Sequence, residues 1–313
     1  MTANNKTPLY KFLKPSNTHI WILFALLKVN SFLPHLMQIN NGKFLGRVLH
    51  KFLAKRRAIS RKNLSLAFPN LKRERINKIT TEHFESVGAS IAELGICRWG
   101  KSKTLYENSV WEGKEHIAKA REANKGIILL SAHFTTLEVS GLLLQFEFPG
   151  FEVVYRKNRN PFITEIFRTT RESFAKKAIE KREIKNMIRS LRNGGTVWYA
   201  PDQSYNRKQS SVIPFFGVPS MTNIATSTIA KLGNAVVLPF FPRRLENGNY
   251  VLSFKAPLED FPSNDPVEDT KKYIDLLEKH IKVCPEQYYW LHKKYKNLPE
   301  EYTDYYADLK NWA

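Results

Sequence analysis

Ile127-Ile128-Leu129-Leu130 is a short, branched and uninterrupted apolar run, and residues 137–144 then carry apolar positions at helical spacing. Such a run fits a strand buried on both faces of a parallel sheet, with a helix packed behind it. The same alternation continues along the chain. Apolar periodicity predicts helices over residues 72–100, 113–124, 137–146, 161–175, 184–193, 223–232 and 267–283. Strands are predicted over residues 127–131, 153–155, 196–199, 235–241 and 250–254. Strands separated by helices imply an α/β fold, with a mostly parallel central sheet flanked by helices. No internal repeat or low-complexity tract breaks the pattern.

The N-terminal quarter is patterned differently. Ile20-Trp21-Ile22-Leu23-Phe24-Ala25-Leu26-Leu27 continues past Lys28 to Phe32-Leu33 and Leu36-Met37. A helix over residues 20–36 would reach roughly 25 Å against a hydrocarbon core of ~30 Å. Lys28 near its middle would cost about 2.5 to 3.5 kcal/mol in a bilayer. An interfacial or re-entrant helix therefore fits better than a clean span. Phe44, Leu45, Val48, Leu49, Phe52 and Leu53 add a second apolar stripe beside Lys43, Arg47, Lys51 and Lys55. No small-residue cleavage site follows, so the segment does not read as a signal peptide. The expected organisation is residues 1–45 as an N-terminal membrane anchor or interfacial helix, with residues 46–313 as the main domain.

Charge sharpens that reading. The chain of 313 residues has a net charge of +20, and residues 1–75 hold 15 Lys/Arg against a single acid, Glu74. A basic block can meet nucleic acid, an anionic membrane surface or an acidic protein. Beside two apolar stripes the membrane is favoured and nucleic acid is not expected, since each cation near an anionic leaflet adds ~1 kcal/mol. A hydrophobic content of 42% is ample for a core. Cys97 and Cys284 form no CxxC pair and no disulfide framework, so neither a disulfide scaffold nor a zinc site is expected.

Candidate chemistry lies where strands end, the place at which open α/β sheets collect ligands. His133 follows the first predicted strand and Glu138 falls five positions later. On one ideal helix residues five apart diverge by roughly 140°, so His133 must precede the helix and Glu138 lie in its first turn. A neutral imidazole there can take a proton from a hydroxyl, while the carboxylate fixes its tautomer. Thr135 and Glu138 also spell a capping box, in which Glu138 only closes the turn. Arg156 and Arg159 form a cationic loop after the second strand, suited to phosphate. Asp202 follows the third in a Pro-Asp turn, where it pairs with Arg156, holds the acceptor or only shapes the turn. Residues 210–219 form an apolar loop that lines an acyl groove or fills the core. Arg243 and Arg244 follow the fourth strand and are candidates for phosphate or an acidic donor protein. Gly-x-Ser-x-Gly, Gly-x-Gly-x-x-Gly and P-loop signatures are missing, which leaves serine hydrolase, dinucleotide and nucleoside-triphosphate chemistry without support.

The order of these segments is more specific than any one of them. His-x-x-x-x-Glu, Tyr155-Arg156 with Pro161, Trp198-Tyr199-Ala200-Pro201-Asp202, Pro214-Phe215-Phe216-Gly217 and Pro242-Arg243-Arg244 occur in that sequence. Arg61-Lys62-Asn63-Leu64-Ser65-Leu66-Ala67-Phe68-Pro69 precedes them, and Pro285-Glu286-Gln287-Tyr288-Tyr289-Trp290-Leu291-His292-Lys293-Lys294 follows. The set resembles the lipid A late acyltransferases, a branch of the His-x-x-x-x-Asp/Glu glycerolipid acyltransferase superfamily. The resemblance implies an acyltransferase domain that moves a fatty acyl chain from acyl carrier protein to a 3-hydroxyacyl chain on a Kdo-linked lipid A precursor. It implies a site at the cytoplasmic face of a bacterial inner membrane, with no cofactor and no metal. His133 would be the base, Glu138 its orienting carboxylate, and Arg156 with Asp202 would sit beside the acceptor's phosphates. The Pro-Glu-Gln-Tyr-x-Trp segment leans to the lauroyl or palmitoleoyl branch, although Ser204-Tyr205-Asn206 replaces the Asp-Tyr-Gly common in the lauroyl branch. The runner-up is the same chemistry on another lysophospholipid or glycolipid. A non-enzymatic membrane-tethered binding protein leaves the ordered strand-end motifs unexplained.

Overall fold

A computed structural model describes residues 7–312. Four helices come first, α1 (Thr18–Asn30), α2 (His35–Phe52), α3 (Ala54–Ala67) and α4 (Arg73–Trp99), followed by α5 (Ser102–Glu107), β1 (Val110–Glu112) and α6 (Lys114–Glu122). The central alternation is β2 (Gly126–Leu130), α7 (Leu137–Glu147), β3 (Glu152–Tyr155), α8 (Pro161–Arg171), β4 (Lys177–Glu180), α9 (Ile184–Arg192) and β5 (Thr196–Tyr199). A hairpin of β6 (Ser210–Phe215) and β7 (Val218–Asn223) leads to α10 (Ala225–Gly233), β8 (Ala235–Arg244), β9 (Tyr250–Phe254) and α11 (Pro266–Val283).

The main sheet has the order β1-β9-β8-β2-β5-β3-β4, and only the β8–β9 pair is antiparallel. The fold is thus α/β with a mostly parallel sheet flanked by helices, as the periodicity implied. β2 is central and all five of its residues are buried. Ile128 and Leu130 join the core on one face, Ile127 and Leu129 the core on the other, because side chains alternate along a strand. β1 and β4 are edge strands of three and four residues, too short and polar to show in the pattern. Residues 210–219, expected as a loop, instead pair as β6 and β7. Phe216 and Gly217, both at positive φ, make the tight turn such a hairpin requires. Phe215 is fully buried in the core, which settles that position as packing.

The N-terminal segment folds onto the domain. The helix expected over residues 20–36 breaks after Asn30 and restarts at His35, because the residue before Pro34 is biased away from helical backbone. Lys28 escapes the apolar surroundings that made it costly: its ammonium lies over the rings of Phe32 and Trp99, 4.8 and 5.1 Å from their centroids. α2 crosses residue 45 without a break and packs on α4 at backbone contact; a Cβ at Gly46 would run into the carbonyl of Phe84, and one at Gly88 into that of Gly42. Residues 1–6, the start of the expected 1–45 segment, and Ala313 lie outside the described residues. Ile22, Leu26, Val29, Phe44 and above all Phe32 (75%) and Phe52 (79%) remain exposed. No helix among the described residues is long and apolar enough to cross a membrane.

Two core histidines make stability depend on pH. His280 lies between Phe134 and Phe241, with ring centroids 5.2 and 5.3 Å away, and His83 is fully buried on α4. Burial pulls both down to about 4 from 6.5. The unfolded chain therefore binds these protons before the folded one does, so stability is complete at neutral pH and is lost as pH falls from about 6.5 to about 4. The drop in Tm between pH 7 and pH 4.5 is expected to be smaller in His280→Phe than in the parent; equal drops would contradict the assignment.

Candidate active site

β2 and β5 run parallel, with Leu130 opposite Tyr199. Three residues further along each strand come His133 and Asp202, which the register therefore sets side by side. Adjacent strands lie ~4.8 Å apart, within reach of a short carboxylate. Asp202 Oδ1 is 2.6 Å from His133 Nδ1 and also accepts from the His133 backbone N–H at 3.1 Å. Oδ2 accepts from the Tyr288 hydroxyl at 2.9 Å, and the Asp202 carbonyl accepts from Lys294 Nζ at 2.6 Å. Asp202 is 1% exposed. Burial alone would raise its pKa, but the charge and hydrogen bonds of His133 and the ammonium of Lys294 together hold it down to about 2. The carboxylate is therefore ionised at neutral pH. An ionised partner obliges Nδ1 to carry a proton, so whenever the ring is neutral its lone pair is on Nε2, the nitrogen left for the cleft that His133 lines.

The turn carrying His133 is fixed from behind by the C-terminal segment. Tyr289 N–H donates to the His133 carbonyl at 2.9 Å, Thr135 N–H donates to the Gln287 carbonyl at 2.8 Å, and Phe134 bridges to Tyr288. Tyr273 hydroxyl donates to the Ser131 carbonyl at 2.8 Å. The Pro-Glu-Gln-Tyr-Tyr-Trp segment is thus the scaffold of the imidazole. Lys294, buried between the Asp202 carbonyl and the ring of Phe215 (4.3 Å to the centroid), has its pKa lowered by burial to about 8.

Glu138 corrects the sequence reading. Its carboxylate is not the partner of His133: it forms a two-pronged pair with Arg171 at the end of α8, Arg171 Nε donating at 3.0 Å and Nη2 to the other oxygen. Nor does it close a capping box. The N-cap of α7 is Thr136, which makes no side-chain cap bond, so Glu138 stands at N2 where the box needs N3. Thr135 instead shares a 2.6 Å hydrogen bond with Ser86 of α4.

The cleft has a volume of about 790 Å³ and opens beyond the carboxyl ends of β2, β3, β4 and β5. Arg156, one residue past β3, lines it. Arg159 does not; it is exposed in the turn before α8, which Asn160 caps by accepting from Phe162 N–H at 2.8 Å. Arg243 and Arg244 are also absent from its walls. Arg244 is buried against Glu93 of α4 at 2.6 Å and Arg243 pairs with Glu112 at 3.3 Å, so both are already matched by the protein's own acids. Sequence reasoning missed Arg171, Lys181, Arg182, Arg207, His292 and Lys296, all in the lining. Of these only His292 sat in a segment singled out beforehand. Burial, then Lys296, lowers its pKa to about 4, so it is a neutral ring at physiological pH. Cys97 and Cys284 are free and buried.

An ionised aspartate bonded to one ring nitrogen of an imidazole at the cleft and a cationic recess can together deprotonate a hydroxyl on an anionic molecule. The profile described as bacterial lipid A biosynthesis acyltransferase matches residues 6–297. The lipid A biosynthesis lauroyltransferase of Escherichia coli (strain K12) is 32% identical over 282 residues, covering 90% of this chain and 92% of the relative. A lipid A biosynthesis acyltransferase of Haemophilus influenzae is 31% identical over 307 residues, covering 96% and 98%. The lipid A biosynthesis palmitoleoyltransferase of Escherichia coli is 29% identical over 292 residues, covering 92% and 94%. The matched span takes in the strands, the turn that carries His133 and most of the segment behind it, and the chain belongs to the bacterial lipid A biosynthesis acyltransferase family.

Proposed function

We propose that this acyltransferase moves a fatty acyl chain from acyl carrier protein to the hydroxyl of a 3-hydroxyacyl chain on a Kdo-linked lipid A precursor, with His133 as general base. The observation that carries the reading is the 2.6 Å bond between His133 Nδ1 and buried Asp202 at the floor of a cationic cleft. His133 Nε2 takes the acceptor's proton, the oxygen attacks the thioester carbonyl, and Asp202 stabilises the imidazolium. Collapse of the tetrahedral intermediate breaks the carbon–sulfur bond, and the imidazolium returns the proton to the departing thiolate. No covalent acyl-enzyme is needed. Arg156 meets a phosphate of the acceptor, and Glu138 acts through Arg171, whose guanidinium it fixes at the cleft wall. The lauroyl donor is favoured because the lauroyltransferase is 32% identical, against 29% for the palmitoleoyltransferase and 25% for the myristoyltransferase.

The acceptor is a lipid, and the exposed apolar face of α1 and α2 suits its location. Phe32, Phe44 and Phe52 would enter the headgroup boundary while Lys43, Lys51 and Lys55 meet anionic lipid at the cytoplasmic face of the inner membrane; Arg47 is paired with Glu85 at 3.0 Å. Burying one such ring is worth about 1.5 to 3 kcal/mol, so changing all three to Ser should release the protein from anionic vesicles by well over tenfold in a sedimentation assay. Undiminished sedimentation would remove this face from the membrane.

The activity is tested with purified protein, the lipid A precursor and acyl carrier protein loaded in turn with lauroyl, myristoyl or palmitoleoyl chains, the products being weighed by mass spectrometry. Lauroyl transfer to a 3-hydroxyacyl chain is expected to be fastest. No acylated precursor with any donor would refute the reading.

A further inference from the structure

The cleft holds more positive charge than its own acids match. Arg156, Lys181, Arg182, Arg207 and Lys296 line it. None takes part in the ion pairs of the described residues, which instead join Glu180 to Lys157 at 2.7 Å and Glu138 to Arg171. The remaining acid of the lining, Glu183, accepts from Asn186 Nδ2 at 3.1 Å.

The topology explains why the cations converge. β3 and β4 pair with Tyr155 opposite Glu180, so Arg156 and Lys181 leave neighbouring strands side by side, and Lys181 N–H donates to the Tyr155 carbonyl at 2.8 Å. Arg207 comes from the loop between β5 and β6. Lys296 is tied to the same loop, its carbonyl accepting from Ser204 Oγ at 2.8 Å. Burial and then the field of Arg156, Arg207 and Arg182 lower the pKa of Lys181. Burial, Lys293, Arg156 and Arg56 lower that of Lys296. Like charges gathered in a recess, without counter-ions of their own, are relieved by an anion that enters it.

Resting on the reading that the acceptor occupies this cleft, we propose that Lys181, Arg207 and Lys296, together with Arg156, form a headgroup subsite that requires two or more negative charges, phosphate or carboxylate, on the acceptor lipid. A sugar headgroup fits a recess of about 790 Å³. The surface of an acidic protein does not enter one, so the carrier protein is the disfavoured occupant. The subsite selects by charge number: an acceptor with the same acyl chains but one anion leaves most of the cations unmatched.

The test combines calorimetry and steady-state kinetics on the full-length enzyme. Inorganic pyrophosphate at constant ionic strength is expected to bind, to compete with the acceptor lipid and not with the acyl donor, and to bind His133→Ala as well as the parent. The pair Lys181→Gln and Lys296→Gln should weaken pyrophosphate binding and raise the acceptor KM by about tenfold or more. kcat and donor KM should stay within about twofold, and the corresponding Arg pair should retain tight binding. Two trimmed acceptors, one lacking a phosphate and one lacking the acidic sugar, identify the group: the acceptor that no longer responds to the Gln pair has lost the anion it reads. The proposal is overturned if the Gln pair leaves pyrophosphate binding and acceptor KM unchanged, if the KM change falls on the donor alone, if pyrophosphate does not compete with the acceptor, or if both trimmed acceptors respond in full. Loss of turnover in His133→Ala with pyrophosphate binding intact bears on the base alone, so the two readings fail separately.

Discussion

Asp202→Asn is expected to slow acyl transfer by about 10²- to 10⁴-fold, with donor and acceptor KM within a few-fold of the parent. The amide nearly matches the carboxylate in shape, so the bonds to Oδ2 and the backbone carbonyl from Tyr288 and Lys294 have counterparts in the variant. What changes is the bond to the ring. A carboxylate can only accept, which keeps the proton on His133 Nδ1 and the lone pair on Nε2. The His133 backbone N–H, which donates to Oδ1 at 3.1 Å, holds the amide oxygen at that position, so the ring keeps an acceptor there but one that is neutral. The imidazolium that forms during transfer also loses the adjacent negative charge. The effect therefore belongs in kcat, since no contact with either substrate is removed. An Asp202→Asn enzyme with a kcat within tenfold of the parent would show that Asp202 is structural. Measuring kcat at saturating donor and acceptor decides the matter.

His133→Ala is expected to lower the single-turnover rate by about 10²- to 10⁴-fold as well, while the protein stays folded and binds its acceptor. The turn does not depend on the ring: His133 N–H still reaches Asp202, and Tyr289 N–H still reaches the His133 carbonyl. Asp202 loses one charge-assisted bond and keeps the rest, so the stability change should be no more than about 1 to 3 kcal/mol. In the proposed mechanism both residues act through one proton transfer, so the double variant should be little slower than either single one. Near-normal turnover in purified His133→Ala would rule out the base.

Much of this architecture could be read from periodicity. The strand expected over residues 127–131 lies at Gly126–Leu130, and those over 196–199 and 250–254 lie at Thr196–Tyr199 and Tyr250–Phe254. These strands are apolar enough to be buried on both faces and carry their own signal. β1 and β4 do not, since an edge strand of a few residues needs no continuous apolar run. His133 and Arg156 were legible because each follows a recognisable strand end and reaches the cleft. The partnership of His133 with Asp202 was not, because it depends on β2 lying next to β5, and strand order is a property of the folded sheet. Glu138 looked like the partner because it is near in sequence, yet one position of helix start separates a capping box from a residue aimed at α8. Arg244 looked like a substrate contact until its acid appeared on α4, 151 positions away. Long-range pairing of this sort has no local trace.

The central claim is that Asp202 holds His133 as the Nδ1–H tautomer, with the Nε2 lone pair facing the cleft. Nitrogen-15 NMR of the imidazoles reads this directly, at a pH where the ring is neutral and with His133→Ala assigning the signal. The account predicts a protonated, hydrogen-bonded Nδ1 and an unprotonated Nε2 in the parent enzyme. A parent enzyme whose His133 carries its proton on Nε2 would contradict it.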